Sequence, residues 1–358
     1  MIDPRVASGL RDLPPSLMIP RERLLRTFRD VFARYGFLPI ETPHIERMDV
    51  LTGKGAGSDE VLRQIFEVTN KGGTPGELAL RFDLTVPLAR FIAKHVEELG
   101  VPFKRYAIGS VFRGERPAKG RFREFVQCDF DVVGTESPLA DAETASVIHD
   151  ALSAAGVPAF TIALNNRKIL DGLLETLGLT DRTASVLRAI DKRDKIGRDG
   201  VVRELTRGSL ERPTKHSPSE SLSEDVTWKD DPDLLAMGEA TAHLSRPEED
   251  ETATGAGLST RQAETLADFI ESSRGGLDVL DRAEAPLAGN ERAACGLASL
   301  REVAALLDSS GVDPQRIAID LGLARGLDYY TGIVFETTID GWERFGSVAS
   351  GGRYDNLA

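Results

Sequence analysis

Residues 104–134, KRYAIGSVFRGERPAKGRFREFVQCDFDVVG, constrain the fold more than any other stretch of this chain. Two runs with alternating apolar and polar positions flank a charged loop near Pro117–Gly120, the pattern of two antiparallel strands. More strands are expected on both sides. FLPIETP reads as a short strand ending at Pro43, and QIFEVTN and ELALRFDLT as two strands joined by KGGTPG. TIALNN and the run from Arg316 onward add others, with turns expected at Gly341 and at Gly351–Gly352. Helices separate them. Leu24, Leu25, Phe28, Val31 and Phe32 recur at helical spacing over 21–36, with Gly36 as the stop. VPLARFIAKHVEEL, the run from Ala140 with Asp141 or a near neighbour as cap, residues 166–208 and residues 259–309 also read as helical. Residues 1–20, broken by Gly9, Pro14, Pro15 and Pro20, read as an irregular arm. Antiparallel strands interrupted by helices imply an α+β fold. No strand-to-helix turn carries G-x-G-x-x-G, so a dinucleotide-binding unit is not expected.

Composition bounds what such a fold can serve. Hydrophobic residues are 41% and charged residues 28% of 358, a balance that supports a sizeable core. A net charge of −13 excludes a molecule that draws nucleic acid by its overall field, although a local basic strip can still contact phosphates. Two cysteines, Cys128 and Cys295, make neither a disulfide framework nor a zinc site, and a reducing cytoplasm is the expected compartment. The start MIDPRVASGLRDLPP has no apolar run, and no apolar stretch reaches the roughly 18 residues of a membrane span. Residues 209–257 are rich in Ser, Glu, Asp, Pro and Thr, and are expected to be a disordered insertion.

The candidate chemistry lies with arginines rather than histidines. His44, His95, His149, His216 and His243 show no metal-ligand or triad spacing. The loop Gly53–Gly57 lacks the phosphate-loop spacing and reads as a plain turn. In the hairpin, Arg113 and Glu115 share one strand face under period-2 alternation, and Arg121 and Phe125 share one on the returning strand. An arginine fork and an aromatic ring on neighbouring strands can hold a triphosphate and stack a base. Asp83 and Thr85 are expected on one strand face, and Gln127 and Asp131 on another with Asp129 between them. Such a polar face suits a small zwitterion with an amine. In RGLDYYTG, Arg325 is expected at a strand start, with Tyr329 and Tyr330 pointing oppositely.

These residues carry a family resemblance. FRGERPAKGRFREF resembles motif 2 of class II aminoacyl-tRNA synthetases, ARGLDYYTGIVFE the histidine-specific motif of histidyl-tRNA synthetases and their close paralogues, and FLPIETP motif 1. SGLRDLPP and SGGRYD match the same family, and together the likeness covers most of 6–208 and 259–356. It implies a class II antiparallel sheet flanked by helices. It divides the chain into a first catalytic part over 1–165, a helical insertion over 166–258 with a disordered stretch at 209–257, and a second catalytic part over 259–358. The implied reaction activates histidine with ATP and then esterifies the 3′-terminal adenosine of its tRNA. Arg113 would bind the α-phosphate, Glu115 the adenine amino group and Arg121 the terminal phosphates, while Phe125 stacks on the base. Arg325 would be the second catalytic cation. Asp83, Thr85 and Gln127 would hold the α-amino group, Asp131 and Tyr330 would read the imidazole ring, and Arg325 and Tyr329 would also bind the histidine. Mg²⁺ would arrive on the ATP phosphates, with no protein His or Cys ligand, and the protein would be a homodimer. Basic residues Lys192, Arg193, Lys195 and Arg198 open the insertion, where the family touches the tRNA acceptor arm.

In the family, motif 3 and an anticodon-binding domain follow SGGRYD, whereas this sequence ends at Ala358. The expectation is therefore a fragment or incomplete chain that binds histidine and activates it poorly. The alternative implied by the same resemblance is a regulatory paralogue that senses histidine for its biosynthesis and lacks synthetase activity. Decay of the nucleotide-binding arginines would mark it, yet Arg113, Arg121 and Arg325 are all present. A pure RNA-binding module would not need Asp83 and Asp131 in a pocket.

Overall fold

A computed structural model describes residues 4–53, 64–117, 120–208, 255–326 and 330–355. The glycine loop beyond Gly53, Tyr329 and nearly all of 209–257 lie outside the described residues.

The first helix, α1 (Pro15–Arg34), starts six residues before the sequence pattern places it and runs through Pro20. Its start follows from Pro15, since a proline in the first turn lacks only an N–H that has no helical partner there. It ends in a Schellman turn. Gly36 takes φ +78°, its N–H donates to Ala33 O, and Phe37 N–H donates to Phe32 O. Strand β1 (Leu38–Pro39), β2 (Ile45–Arg47), α2 (Met48–Leu51), β3 (Glu67–Val68) and β4 (Leu78–Leu80) follow. Then comes α3 (Thr85–Leu99). The hairpin is present as β5 (Phe103–Phe112) and β6 (Glu124–Val133), paired antiparallel from Phe103↔Val133 to Phe112↔Glu124.

Helix α4 (Pro138–Ala154) is capped by Ser137 rather than Asp141, which turns instead to Arg353. The second half contains β7 (Phe160–Asn166), α5 (Arg167–Thr176), α6 (Thr183–Asp191), α7 (Arg193–Thr206) and α8 (Thr260–Ser272). The start of α8 is set by a capping box between Ser259 and Gln262. After it come β8 (Arg274–Gly275), α9 (Asp278–Glu284), α10 (Glu291–Ser309), β9 (Ile317–Asp320), β10 (Ile333–Ile339) and β11 (Ala349–Gly352). Gly351 and Gly352 thus pair in a strand instead of turning, while Gly341 does turn, with φ +77°.

Three sheets result, ordered β1-β5-β6, β11-β10-β7-β9-β8 and β2-β4-β3. Pairing is antiparallel except β1 with β5 and β7 with β9. This is the α+β, antiparallel-based architecture that the sequence implies. One apolar cluster runs from Ala142 to Phe335 and packs α4 to α10 on the five-stranded sheet. A second lies under the hairpin, where Phe32, Phe37 and Val147 meet Tyr106, Ile108, Cys128, Phe130 and Val132. That packing takes one face of β5 and β6 for the core and leaves the opposite face for polar side chains. Among the described residues, no helix is long and apolar enough to cross a membrane.

Candidate functional site

The open face of the hairpin carries Phe125, Gln127, Asp129 and Asp131 on β6, opposite Val111, Gly109, Ala107 and Arg105 on β5. At its outer end Phe125 packs with Leu84, Ala107 and Val111. The Arg113 guanidinium stacks over the Phe125 ring at 5.1 Å from its centroid, and Nε donates to Phe82 O at 3.1 Å. The strand ends at Phe112, so Arg113 and Glu115 do not share a strand face as alternation suggests. Glu115 lies in a bend and Arg121 at an isolated bridge. They nevertheless approach each other, Arg121 Nη1 standing 4.0 Å from Glu115 Oε2. The amino-terminal segment braces this loop: Arg123 N–H donates to Gly9 O and Arg123 Nη1 to Ser8 O.

Asp83 and Thr85 are not on a strand. Thr85 opens α3, and Asp83 precedes it, accepting a hydrogen bond from Val86 N–H at 3.0 Å. Pro87 falls in the first turn of that helix, where it is compatible with helix initiation rather than a strand end. Burial pushes the Asp83 carboxyl up to about 6, against the pull of Val86 N–H and Arg113. Burial likewise raises Asp129 to about 7, with Arg105 opposing and Asp131 and Asp83 adding to the rise. Gln127 Oε1 is buried without a hydrogen-bond partner among the described residues. An unsatisfied buried acceptor on a polar face is suited to a ligand N–H or ammonium.

Asp131 is held from two sides. Arg105, its cross-strand partner, forms a close ion pair with it, and Tyr354 Oη donates to Asp131 Oδ1 at 2.7 Å. Burial and the neighbouring Asp131 carboxylate push the Tyr354 phenol well above its ordinary value, so it remains a donor. Tyr354 and its neighbour Arg353 belong to SGGRYD, and they join the two halves of the chain. Arg353 donates to both oxygens of Asp141 at 3.2 and 2.8 Å and to Thr135 O at 2.9 Å.

Arg325 does not start a strand: it lies outside any strand, several residues before β10. Its Nε ion-pairs with Glu336 Oε1 on β10 at 2.7 Å. Tyr330 packs its ring against Gly326 and Gly352, where an added Cβ would stand 1.9 and 2.8 Å from ring carbons. Only glycine leaves room there, and Gly326 also takes φ +63°. The structure therefore gathers Asp83, Arg113, Phe125, Gln127 and Asp131 about the hairpin face, and sets Arg325 on Glu336.

Sequence reasoning missed Arg81, Arg105, Glu336 and Tyr354. Arg81 is 2% exposed and donates to Ser110 O at 2.9 Å and Thr42 O at 2.6 Å. It crosses Gly109, where a Cβ would meet Arg81 Nη2 at 2.4 Å. The available signals were weak: an arginine among apolar strand positions for Arg81 and Arg105, and for Tyr354 its place in SGGRYD.

Comparison with known proteins fits this geometry. A family model described as histidyl-tRNA synthetase matches residues 9–215 and 230–358. Histidine–tRNA ligase of Rhodopirellula baltica is 45% identical over the whole chain, and that of Wolinella succinogenes 41%; the chain spans about 70% of the length of each. The crystal structure of histidyl-tRNA synthetase from Nostoc sp. PCC 7120 superposes with a TM-score of 0.75 at 33% identity, over 99% of this chain and 70% of that one. A structure titled as an ATP phosphoribosyltransferase regulatory subunit/histidyl-tRNA synthetase from Bacillus halodurans shares the fold, with a TM-score of 0.73 at 22% identity. The two arginine-bearing motifs, the hairpin that displays the first of them, and the match along nearly the entire chain place this protein in the histidyl-tRNA synthetase family.

Proposed function

We propose that the chain is the catalytic region of a histidine–tRNA ligase, which joins histidine to ATP as histidyl-adenylate with release of pyrophosphate and then passes the histidyl group to the terminal adenosine of its tRNA. The observation that carries this reading is the hairpin face, where Arg113 stacks on Phe125 at one end and Asp131 is gripped by Tyr354 at the other. Phosphate recognition and amine or imidazole recognition then lie on one pair of strands. Asp83, Thr85 and Gln127 hold the α-ammonium group, Asp131 with Tyr330 reads the imidazole ring, and Tyr329, outside the described residues, is assigned beside them. Glu115 and Phe125 take the adenine, Arg121 the terminal phosphates.

The first step needs no general base, because the substrate carboxylate is already ionised when it attacks the α-phosphorus. What it needs is alignment and positive charge on the phosphoryl oxygens, the work assigned to Arg113 and Arg325. Among the described residues no three His, Cys, Asp or Glu side chains cluster for a metal ion. Mg²⁺ enters the proposal with ATP, as part of the substrate. In the second step the terminal ribose hydroxyl of the tRNA attacks the acyl carbonyl.

The proposal keeps the division near residues 165 and 258. It also includes a homodimer, supported by the exposed Leu17, Ile19 and Leu24 on α1 and Leu38 on β1. The test is adenylate formation from histidine and ATP, in the parent chain and in the Arg325→Ala and Arg113→Ala variants. Adenylate that depends on both arginines supports the proposal. Histidine binding by a parent chain that binds no ATP favours the histidine-sensing, regulatory alternative.

A further inference from the structure

Arg105 has no exposed surface, yet none of its three guanidinium nitrogens makes a hydrogen bond among the described residues, and Nη2 meets Asp131 only as an ion pair. Cohesion does not explain such a group. A buried ion pair seldom stabilises more than apolar side chains of the same volume, and unmet donors add to its cost. Its position offers another account. Arg105 stands directly across the ladder from Asp131 and forms a close ion pair with its Oδ2, while Tyr354 donates to Oδ1. A carboxylate held at both oxygens by partners on different elements has its position and plane fixed. The Asp131 side chain keeps 13% exposure and Arg105 none, so a ligand on this face meets Asp131 and cannot reach Arg105. Arg105 also lies among three carboxyls, since Asp129 feels both Arg105 and its neighbours Asp131 and Asp83. Without a cation beneath them these acids would repel one another and Asp131 would have reason to move.

We propose that Arg105 is a positioning residue for side-chain specificity: it fixes the Asp131 carboxylate as the acceptor for a ring N–H of the substrate imidazole. This rests on the reading of Asp131 as the imidazole reader. An acceptor set in place before binding discriminates against side chains that lack a ring N–H, because such a ligand leaves the carboxylate unpaired. The cost of fixing the carboxylate is met in folding rather than in binding.

The experiment measures histidine and ATP affinities separately, by calorimetry on the whole chain, for Arg105→Met, Arg105→Lys, Asp131→Asn and the Arg105→Met/Asp131→Asn pair. Arg105→Met is expected to weaken histidine about tenfold or more, the scale of one charge-assisted hydrogen bond, and to leave ATP within about twofold. Arg105→Lys, which restores charge without the planar fork, is expected to fall between parent and Met. The double variant is expected to bind histidine no more weakly than Asp131→Asn alone, since Arg105 acts through Asp131. Equal losses for histidine and ATP, or additive losses in the pair, would mean a general structural role and overturn the inference. Unchanged histidine affinity in Asp131→Asn refutes the underlying reading of Asp131. Weakened affinity there with unchanged affinity in Arg105→Met refutes only the role of Arg105. If Arg105→Met does not fold, the Lys variant decides, and parent-like histidine affinity in it counts against the inference.

Discussion

Replacing Asp129 by asparagine should make this protein more stable at neutral and alkaline pH. The carboxyl lies on the hairpin face, and burial raises it from the ordinary 3.8 to about 7 even though Arg105 pulls the other way. Burial therefore costs the charged form more than the nearby cation returns. The folded value exceeds the unfolded one, so between about pH 4 and pH 7 the folded chain binds more protons than the unfolded chain. Stability accordingly falls as pH rises through that window and levels off above it. The full difference corresponds to about 4 kcal/mol at pH 8, at about 1.4 kcal/mol per tenfold in the proton equilibrium. Asparagine keeps the shape and removes the charge. Asp129→Asn, which stands in for the neutral acid, should gain about 4 kcal/mol at pH 8 and nothing below pH 4, the attraction to Arg105 being already contained in the net value. Denaturant unfolding of parent and variant across pH 4–8 measures this, and subtracting the two curves removes the titrating groups that do not interact with Asp129. A variant no more stable than the parent at pH 8, or a difference that does not grow between pH 4 and 7, would refute the reasoning.

Tyr354→Phe removes the donor to Asp131 Oδ1 and should weaken histidine about 10-fold to 100-fold, as loss of a hydrogen bond to a charged group predicts, while ATP affinity measured in parallel holds. Gly109→Ala drives a Cβ to 2.4 Å from Arg81 Nη2 and should displace that guanidinium from Thr42 O and Ser110 O; denaturant unfolding should show a loss of about 2–4 kcal/mol. Histidine affinity should rise with pH as Asp83 ionises through about 6, because the carboxylate and not the acid attracts an α-ammonium group; calorimetry from pH 5 to 8 should show this slope, and Asp83→Asn should weaken binding and reduce it.

Much of the fold was legible because it is written locally. Alternation marked β5 and β6, 3.6-residue spacing marked α1, and the helical run expected from residue 259 matches the start of α8 at Thr260. Local signals also misled where one residue type serves two structures. The helix expected from Val86 begins at Thr85, and the strand assigned to Asp83 and Thr85 became the entry to α3. Gly351 and Gly352 signal a turn, yet both pair in β11, where the missing side chain of Gly352 lets the strand pass against the Tyr330 ring. The candidate site was legible only as far as motifs go. Arg113, Phe125, Gln127 and Asp131 came from alternation and resemblance. The Tyr354–Asp131 contact spans 223 positions, and nothing in the spacing of either residue announces the other. Arg105 looked like one more charged strand residue, because the sequence shows its charge and not its burial.

Burial also decides how the face manages charge. Three carboxyls, Asp83, Asp129 and Asp131, share it with Arg105 and Arg113. Three fixed negative charges at that spacing would be costly in a partly desolvated site. Raised values for Asp83 and Asp129 relieve the cost, since near neutral pH a proton resides on Asp129 for much of the time and on Asp83 for some of it. The face then approaches neutrality before any substrate arrives. An incoming α-ammonium group favours the ionised forms and drives protons off, so the negative charge appears when there is a cation for it to meet. At the other end Arg113 is stacked on Phe125, where the proposed reading sets the phosphates. On that reading one strand pair can serve an ammonium and a polyphosphate together, because Asp83 and Asp129 are poised to change protonation on binding.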